Sequence, residues 1–421
     1  MFKNTSIYLF SNILNAAIPF ILLPVLTRVL TQEEYGQIAM LNMCVSGLAA
    51  FVGINTIGYS IRSYYDNINE SLLNNGAALY IYACSLIVVT LVVSIFNSII
   101  SNILSIPSVW VFFAVVIASS NFLLGFLLAQ YQVREQAKYY GIWQVSCSIF
   151  NVALSILLIF HLDLGVDGRV YALLGTAIVV TALVSIFLYR KRLFLLGGCK
   201  FSHVKSNLSF GVPLIPHIFG FFLLNAADRY IIKDNLDLSS AGIYMVAVQL
   251  SLVFNIFFDA INKAFVPWLF VKLKNGNTKV KVKIVRLTYV YMVALLLLSV
   301  MVFFIAPPLV ILIAGNDYKL ASDIIGWICL GQIFSGMYLM VTNYIFFAKK
   351  TKLLSFVTLF SGAVHLTLLI LLIDEYGLLG AAYAFAISKF IQFILTWILS
   401  MRAMPMPWFN LKQRGLNERT Y

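Results

Sequence analysis

Long apolar runs separated by short polar connections organise the chain from one end to the other. Twelve such runs fall at about residues 6–30, 36–60, 77–104, 108–131, 140–162, 168–189, 207–232, 240–268, 285–311, 320–347, 353–373 and 378–401. Each matches or exceeds the roughly 20 helical residues needed to cross a hydrocarbon core. The pattern predicts an all-α integral membrane protein of twelve transmembrane helices. The composition agrees, because 61% hydrophobic and 11% charged residues with a mean hydropathy of +0.93 leave too little polar surface for a soluble domain of 421 residues.

Charge then orients the helices. With the N-terminus taken as the first side, 22 of the 29 Lys and Arg fall in connections on that side, including Arg62, Arg134, Lys138, the Arg190–Lys205 and Lys272–Arg286 groups, Lys349, Lys350 and the C-terminal tail. The other side holds 11 of the 16 acids, among them Glu33, Glu34, Asp163, Asp374 and Glu375, with only Arg28, Arg169, Arg229, Lys233 and Lys319 as cations. Basic connections stay in the cytoplasm, so both termini are expected there. The net charge of +13 is accounted for by this topology and by anionic lipid, not by nucleic acid. The first apolar run has no small-residue cleavage site and is read as a retained helix.

The second half resembles the first. Leu164-Gly-Val-Asp-Gly-Arg-Val-Tyr-Ala172 matches Tyr376-Gly-Leu-Leu-Gly-Ala-Ala-Tyr-Ala384, and Thr27-Arg28 before Glu34-Tyr35-Gly36 matches Asp228-Arg229 before Ser240-Ala241-Gly242. A six-helix unit used twice enters the membrane from the same side each time. It gives a parallel repeat of two lobes, 1–205 and 206–421, around a central lumen. Pro19 and Pro24 in the first run and Pro213 and Pro216 in the seventh are candidate bends.

Intramembrane polar groups are the candidate chemistry, since a charge at the bilayer centre costs about 2.5–3.5 kcal/mol on insertion scales and needs a cavity or a partner. Ser251, Asn255, Asp259, Asn262 and Lys263 form one stripe on the eighth run, with Asp259 and Lys263 in the i, i+4 order that favours an ion pair. The seventh run places His217, Asn225 and Asp228 on one face, followed by Arg229, and the twelfth carries Lys389, Gln392 and Thr396. Uncharged stripes, Asn12 and Asn15 with Tyr8, and Gln144 and Asn151 with Ser148 and Ser155, suit either a hydroxylated ligand or interhelical hydrogen bonds. His365 stands alone and is read as a packed core histidine. Arg28, Arg229, Lys263 and Lys389 against Asp228 and Asp259 give the expected lumen an excess of positive charge, suited to an anion such as phosphate. The five cysteines and four histidines form no ligand spacing. No metal, cofactor or nucleotide motif is expected, and movement would draw on an ion or substrate gradient.

Three motifs then carry a resemblance: Leu23-Pro-Val-Leu-Thr-Arg-Val-Leu-Thr-Gln-Glu-Glu-Tyr-Gly36; Phe210-Gly-Val-Pro-Leu-Ile-Pro-His217 with Asp228-Arg-Tyr-Ile-Ile232 and Ala241-Gly-Ile-Tyr244; and the two glycine turns. With these the chain resembles the polysaccharide-biosynthesis branch of the multidrug/oligosaccharidyl-lipid/polysaccharide exporter superfamily, the O-antigen flippases of Wzx type. The resemblance implies two lobes around a V-shaped lumen and alternating access. It also implies a cargo of oligosaccharide on undecaprenyl pyrophosphate, turned from the cytoplasmic to the periplasmic leaflet with H+ or Na+ as coupling ion. Neighbours in surface-polysaccharide or lipopolysaccharide assembly, a polymerase and a chain-length regulator, are the implied protein partners. Arg28 and Arg229 match the family's basic positions, and Lys263 and Lys389 match in kind only. On this reading Arg28, Arg229, Lys263 and Lys389 hold the pyrophosphate, and Asp259 or Asp228 couples the ion. Asn12, Asn15, Gln144, Asn151, His217, Asn225 and Asn255 face the sugars. A cation-coupled exporter of drugs or metabolites on the same fold, or a membrane-embedded polymerase or ligase, are the alternatives.

Overall fold

The computed structural model describes residues 2–66, 68–275, 278–348 and 352–409. Lys349, Lys350 and the tail cations Lys412, Arg414 and Arg419 of the charge pattern lie outside these residues. All regular structure among the described residues is helical: α1 (Phe2–Val29), α2 (Gln32–Ala49), α3 (Thr56–Asp66), α4 (Ile68–Leu104), α5 (Ser108–Val133), α6 (Ala137–Ile156), α7 (Gly165–Arg190), α8 (Phe201–Gly211), α9 (Ile215–Asn225), α10 (Asp228–Asn235), α11 (Leu238–Asn275), α12 (Thr278–Ala314), α13 (Lys319–Phe347) and α14 (Lys352–Ala403). Helices satisfy every backbone group within one segment, which a hydrocarbon environment demands. Ten among the described residues are long and apolar enough to cross a membrane. The protein is a multi-pass membrane protein.

The count differs from the twelve apolar runs at two places. The second run is divided between α2 and α3, because Gly53, Ile54 and Asn55 all take positive φ, at 73°, 44° and 54°. Gly53 is required here: its φ disfavours other residues, and a Cβ would strike the Phe122 ring. The eleventh and twelfth runs together form α14, whose helical geometry fails at Gly377 (φ 56°, ψ −133°). Ser388 Oγ lies 3.3 Å from His365 Nδ1. A straight helix would hold residues that far apart in sequence roughly 35 Å apart. The chain therefore reverses at Gly377 and α14 is a helical hairpin.

The seventh run is also interrupted. A 3₁₀ turn over Val212–Leu214, carrying Pro213, separates α8 from α9, and Ala226 (φ −140°) separates α9 from α10. By contrast, α1 continues without a break past Pro24. α8 packs on α3 and α4 of the first half, whereas α9 packs on α14 of the second, so the chain changes partners at the 3₁₀ turn.

Helices α1, α5, α6 and α7 pack chiefly on one another, as do α9 and α11–α14; the two sets meet mainly through α2 and α11. A capping box starts α2: Glu34 N–H donates to Thr31 Oγ1 (3.2 Å) and Thr31 N–H donates to Glu34 Oε2 (2.8 Å). A Cβ on Gly36 would land on the Leu238 carbonyl, and one on Gly242 would land on the Gln32 carbonyl. The two contacts are reciprocal, each position reappearing 206 residues later, as a two-fold relation between halves requires. Around them Gln32 donates to the Asp317 carbonyl, Tyr35 donates to Gln249 Oε1 at 2.7 Å, and the Tyr35 and Tyr318 rings stand 6.1 Å apart. These contacts fasten the halves at the end rich in acidic connections.

Candidate functional site

The intramembrane candidates of the sequence fall mainly into two groups of polar side chains inside the helical bundle, one in each half. In the second half Asp228 is the hub. It occupies the first turn of α10, just after the break at Ala226, so its carboxylate accepts the N–H of Arg229 at Oδ1 (2.9 Å). Tyr244 of α11 donates to Oδ2 (2.8 Å), and His365 Nε2 of α14 lies 3.8 Å from the same oxygen. Asp228 is 1% exposed, and both the tyrosine and the histidine are fully enclosed. The Arg229 guanidinium lies 3.7 Å from Oδ1 and donates to the Asn225 carbonyl at 2.7 Å. Lys389, on the second arm of the α14 hairpin, donates to Asn225 Oδ1 (2.9 Å) and stands over the Phe385 ring.

The breaks in the seventh run and the reversal at Gly377 thus bring Asn225, Asp228, Arg229 and Lys389 together. All four were legible as intramembrane polar groups. Tyr244 and His365, the two side chains that complete the hub, were not assigned to it. The remaining candidates of this half divide. Lys263 and Asp259 make the expected i, i+4 ion pair at 2.6 Å, with side chains 44% and 50% exposed. Their stripe does not stay on one face toward open space: Ser251 accepts from Gln332 (3.2 Å) and Asn262 from Asn343 (2.7 Å), both on α13. Asn255 is half-buried, and the His217 ring packs edge-on against Phe221 with Nδ1 unpartnered. Arg28 is exposed at the end of α1, with no ion pair among the described residues.

In the first half the expected stripes of α1 and α6 face each other. Tyr140 donates to Asn12 Oδ1 at 3.2 Å and Ser148 donates to Asn15 Oδ1 at 2.5 Å. α1 also packs on α11, which sets α11 beside this seam. Beside it a cavity of about 280 Å³ is lined by Asn15, Gln144, Ser148, Asn151, Arg169 and Thr176 among others. Its cation is Arg169, counted in the sequence as an outer connection. The first turns of α7 instead carry it inward, where Nη1 donates to Asn151 Oδ1 (2.8 Å) and Ser155 Oγ (2.6 Å). Directly after Ser155 the backbone of 157–161 widens into a π-helix, a distortion that often accompanies functional sites.

A family model described as "Polysaccharide biosynthesis protein" matches residues 1–273, more than half of the chain. The chain belongs to the polysaccharide biosynthesis protein family. Relatives include a membrane protein of Haemophilus influenzae, 29% identical over 374 residues that cover 87% of this chain and 89% of the relative. A Haemophilus influenzae protein of the Lsg locus is 28% identical, covering 88% and 91%. Among solved structures, an inward-facing multidrug resistance MATE family transporter of the MOP superfamily superposes with a TM-score of 0.68 at 15% identity, over 95% of this chain and 94% of that one. This polysaccharide biosynthesis protein shares the fold of a MATE family transporter, and its buried polar groups lie within that helical fold.

Proposed function

We propose that this polysaccharide biosynthesis protein is a flippase. Its cargo is an oligosaccharide repeat unit on undecaprenyl pyrophosphate, of the O-antigen or a similar surface polysaccharide. The cargo passes from the cytoplasmic to the periplasmic leaflet of the inner membrane by alternating access, with the basic connections in the cytoplasm. The observation that carries the reading is a chain of the polysaccharide biosynthesis family folded as two helical sets that meet mainly through α2 and α11. A pyrophosphate and a string of hydroxyls cannot cross bare hydrocarbon at a useful rate, so such a cargo requires a polar path between the sets.

Charges are assigned to steps by their surroundings. Lys263, with Asp259 beside it, is exposed and free to exchange its partner for a pyrophosphate; Arg28 is exposed and has no ion pair among the described residues. Arg229 and Lys389 sit deeper, around Asp228, and answer to that carboxylate. Neutralising Asp228 with a proton, or screening it with Na+, would loosen its hold on Tyr244 and Arg229. That gives an ion gradient a lever on how α9, α10 and α14 pack. Asp259 is the second coupling candidate.

The test is the leaflet distribution of lipid-linked saccharide in cells lacking the protein and in the same cells with it restored. Accumulation on the cytoplasmic face, relieved by restoration, is expected. Normal translocation with unextended saccharide would overturn the reading in favour of a step after the flip.

A further inference from the structure

Arg169 is a partly buried cation of the first half with no carboxylate partner among the described residues. Its guanidinium carries five N–H donors. Only the two on Nη1 are used, and both meet neutral oxygens, Asn151 Oδ1 and Ser155 Oγ. Nε is buried without a partner, and no carboxylate of the described residues lies within ion-pair distance. The side chain is nonetheless fixed. Asn151 donates to Thr176 Oγ1 (3.1 Å) and Ser155 donates to the Asn151 carbonyl (2.7 Å), so both acceptors of the arginine are themselves held. A buried charge left uncompensated is costly, and an oriented one with spare donors is arranged for a counter-charge.

The cavity beside it supplies the rest of a binding site. Asn15 accepts from Ser148 and keeps its amide donors, and Gln144 Oε1 is buried and unpartnered. Donors and acceptors thus surround the charged end of a space of about 280 Å³. Ligand pockets begin at about 300 Å³, so this one accommodates a single ring, not a chain of them. A lone phosphate would meet the donors of Arg169 and Asn15 but leave the acceptor Gln144 Oε1 without a donor, and a neutral sugar would leave the guanidinium uncompensated. One hydroxylated ring bearing an oxyanion answers both.

We propose that this cavity is an oxyanion subsite for the cargo, with Arg169 gripping the charged group and Asn15 and Gln144 reading hydroxyls of the attached ring. The proposal rests on the flippase reading and narrows its substrate class to repeat units that carry an acidic sugar. The pyrophosphate of the carrier is the other source of the same chemistry.

Equilibrium dialysis of the purified full-length protein in detergent separates the cases, with radiolabelled glucuronate, glucose and inorganic pyrophosphate as probes. Glucuronate is expected to bind at least about tenfold more tightly than glucose, and Arg169→Gln to weaken it at least about tenfold, the scale of losing a charge-assisted contact. Pyrophosphate binding that Arg169→Gln removes, with no preference for glucuronate over glucose, would keep the oxyanion site and assign it to the carrier. Glucuronate binding equal to that of glucose without such pyrophosphate binding, or oxyanion binding untouched by Arg169→Gln, or no saturable oxyanion binding, would overturn the proposal. Gln144→Leu is the second variant, chosen because Oε1 supports no helix contact; severalfold weaker glucuronate binding is expected even if the arginine variant does not fold. Restored translocation by the wild type beside a negative dialysis result sinks the subsite alone. Failure of the wild type to restore translocation sinks the flippase reading whatever dialysis shows.

Discussion

Asp228 and Asp259 are both intramembrane carboxylates next to a basic residue, yet their surroundings make opposite demands. Asp228 is enclosed and accepts from Tyr244 and from a backbone N–H, so removing it strands the Tyr244 hydroxyl and leaves the Arg229 guanidinium without its carboxylate. Asp228→Leu should cost about 3–5 kcal/mol, as breaking a buried charge network does. Tyr244→Phe should cost about 1.5–3 kcal/mol, the range for a hydrogen bond to a charged group. Thermal unfolding in detergent checks the order of the two. Asp259 and Lys263 form an exposed i, i+4 pair, worth under about 0.5 kcal/mol to a helix. Lys263→Ala should therefore leave the unfolding midpoint almost unmoved while lowering translocation in the leaflet assay. A matched fall in both would make the pair structural. Arg229→Lys keeps the charge near Asp228 and should be milder in translocation than Arg229→Ala; equal transport by both would remove Arg229 from the path. The sequence showed which residues were out of place in an apolar run, and fixed the Asp259–Lys263 pairing by spacing alone. It did not show that His365 belongs with Asp228, because that meeting depends on how α10 and α14 pack, 137 positions apart along the chain. Arg169 was misplaced for a simpler reason. A cation one turn inside a helix counts by sequence as part of the connection, while its long side chain reaches the interior.

At the scale of helices, most segments were legible because length and hydropathy suffice to find them. Their interruptions were not. Hydropathy passes smoothly through Gly53–Asn55, where three positive φ angles end α2, and through Ala226, where α9 ends. Only the proline-bearing break at Val212–Leu214 left a sequence signal. The α2–α11 contact carries the clearest prediction at this scale, since Gly36 and Gly242 each face a backbone carbonyl of the other helix. A valine at either position must push the helices apart. Cysteines placed at Gln32 and Asp317, whose groups touch across the halves, should cross-link readily in the otherwise native chain and poorly in Gly242→Val. Unchanged cross-linking would mean that the glycine contact does not set the approach of the two helices.

The whole molecule joins these parts into a cycle that one lock can test. Gln32, Tyr35 and the α2–α11 glycine contacts fasten the halves at the acidic end, while Asp259 and Lys263 stand exposed on α11. If the basic connections are cytoplasmic, this is the state that receives cargo from inside, and release outside requires the α2–α11 contact to part. A disulfide between cysteines at positions 32 and 317 would hold it shut. Translocation should then stop under oxidation and return on reduction, whereas either single cysteine should be insensitive to both treatments. The same cells report the orientation on which the argument depends. A cysteine replacing Asp374, in the connection before the Gly377 reversal, should react with a membrane-impermeant maleimide from the periplasm. One replacing Lys281, in the basic connection at the start of α12, should react only after the inner membrane is opened. Reversed labelling would turn the sealed end toward the cytoplasm, and the enclosed state would then be the one that has just released its cargo.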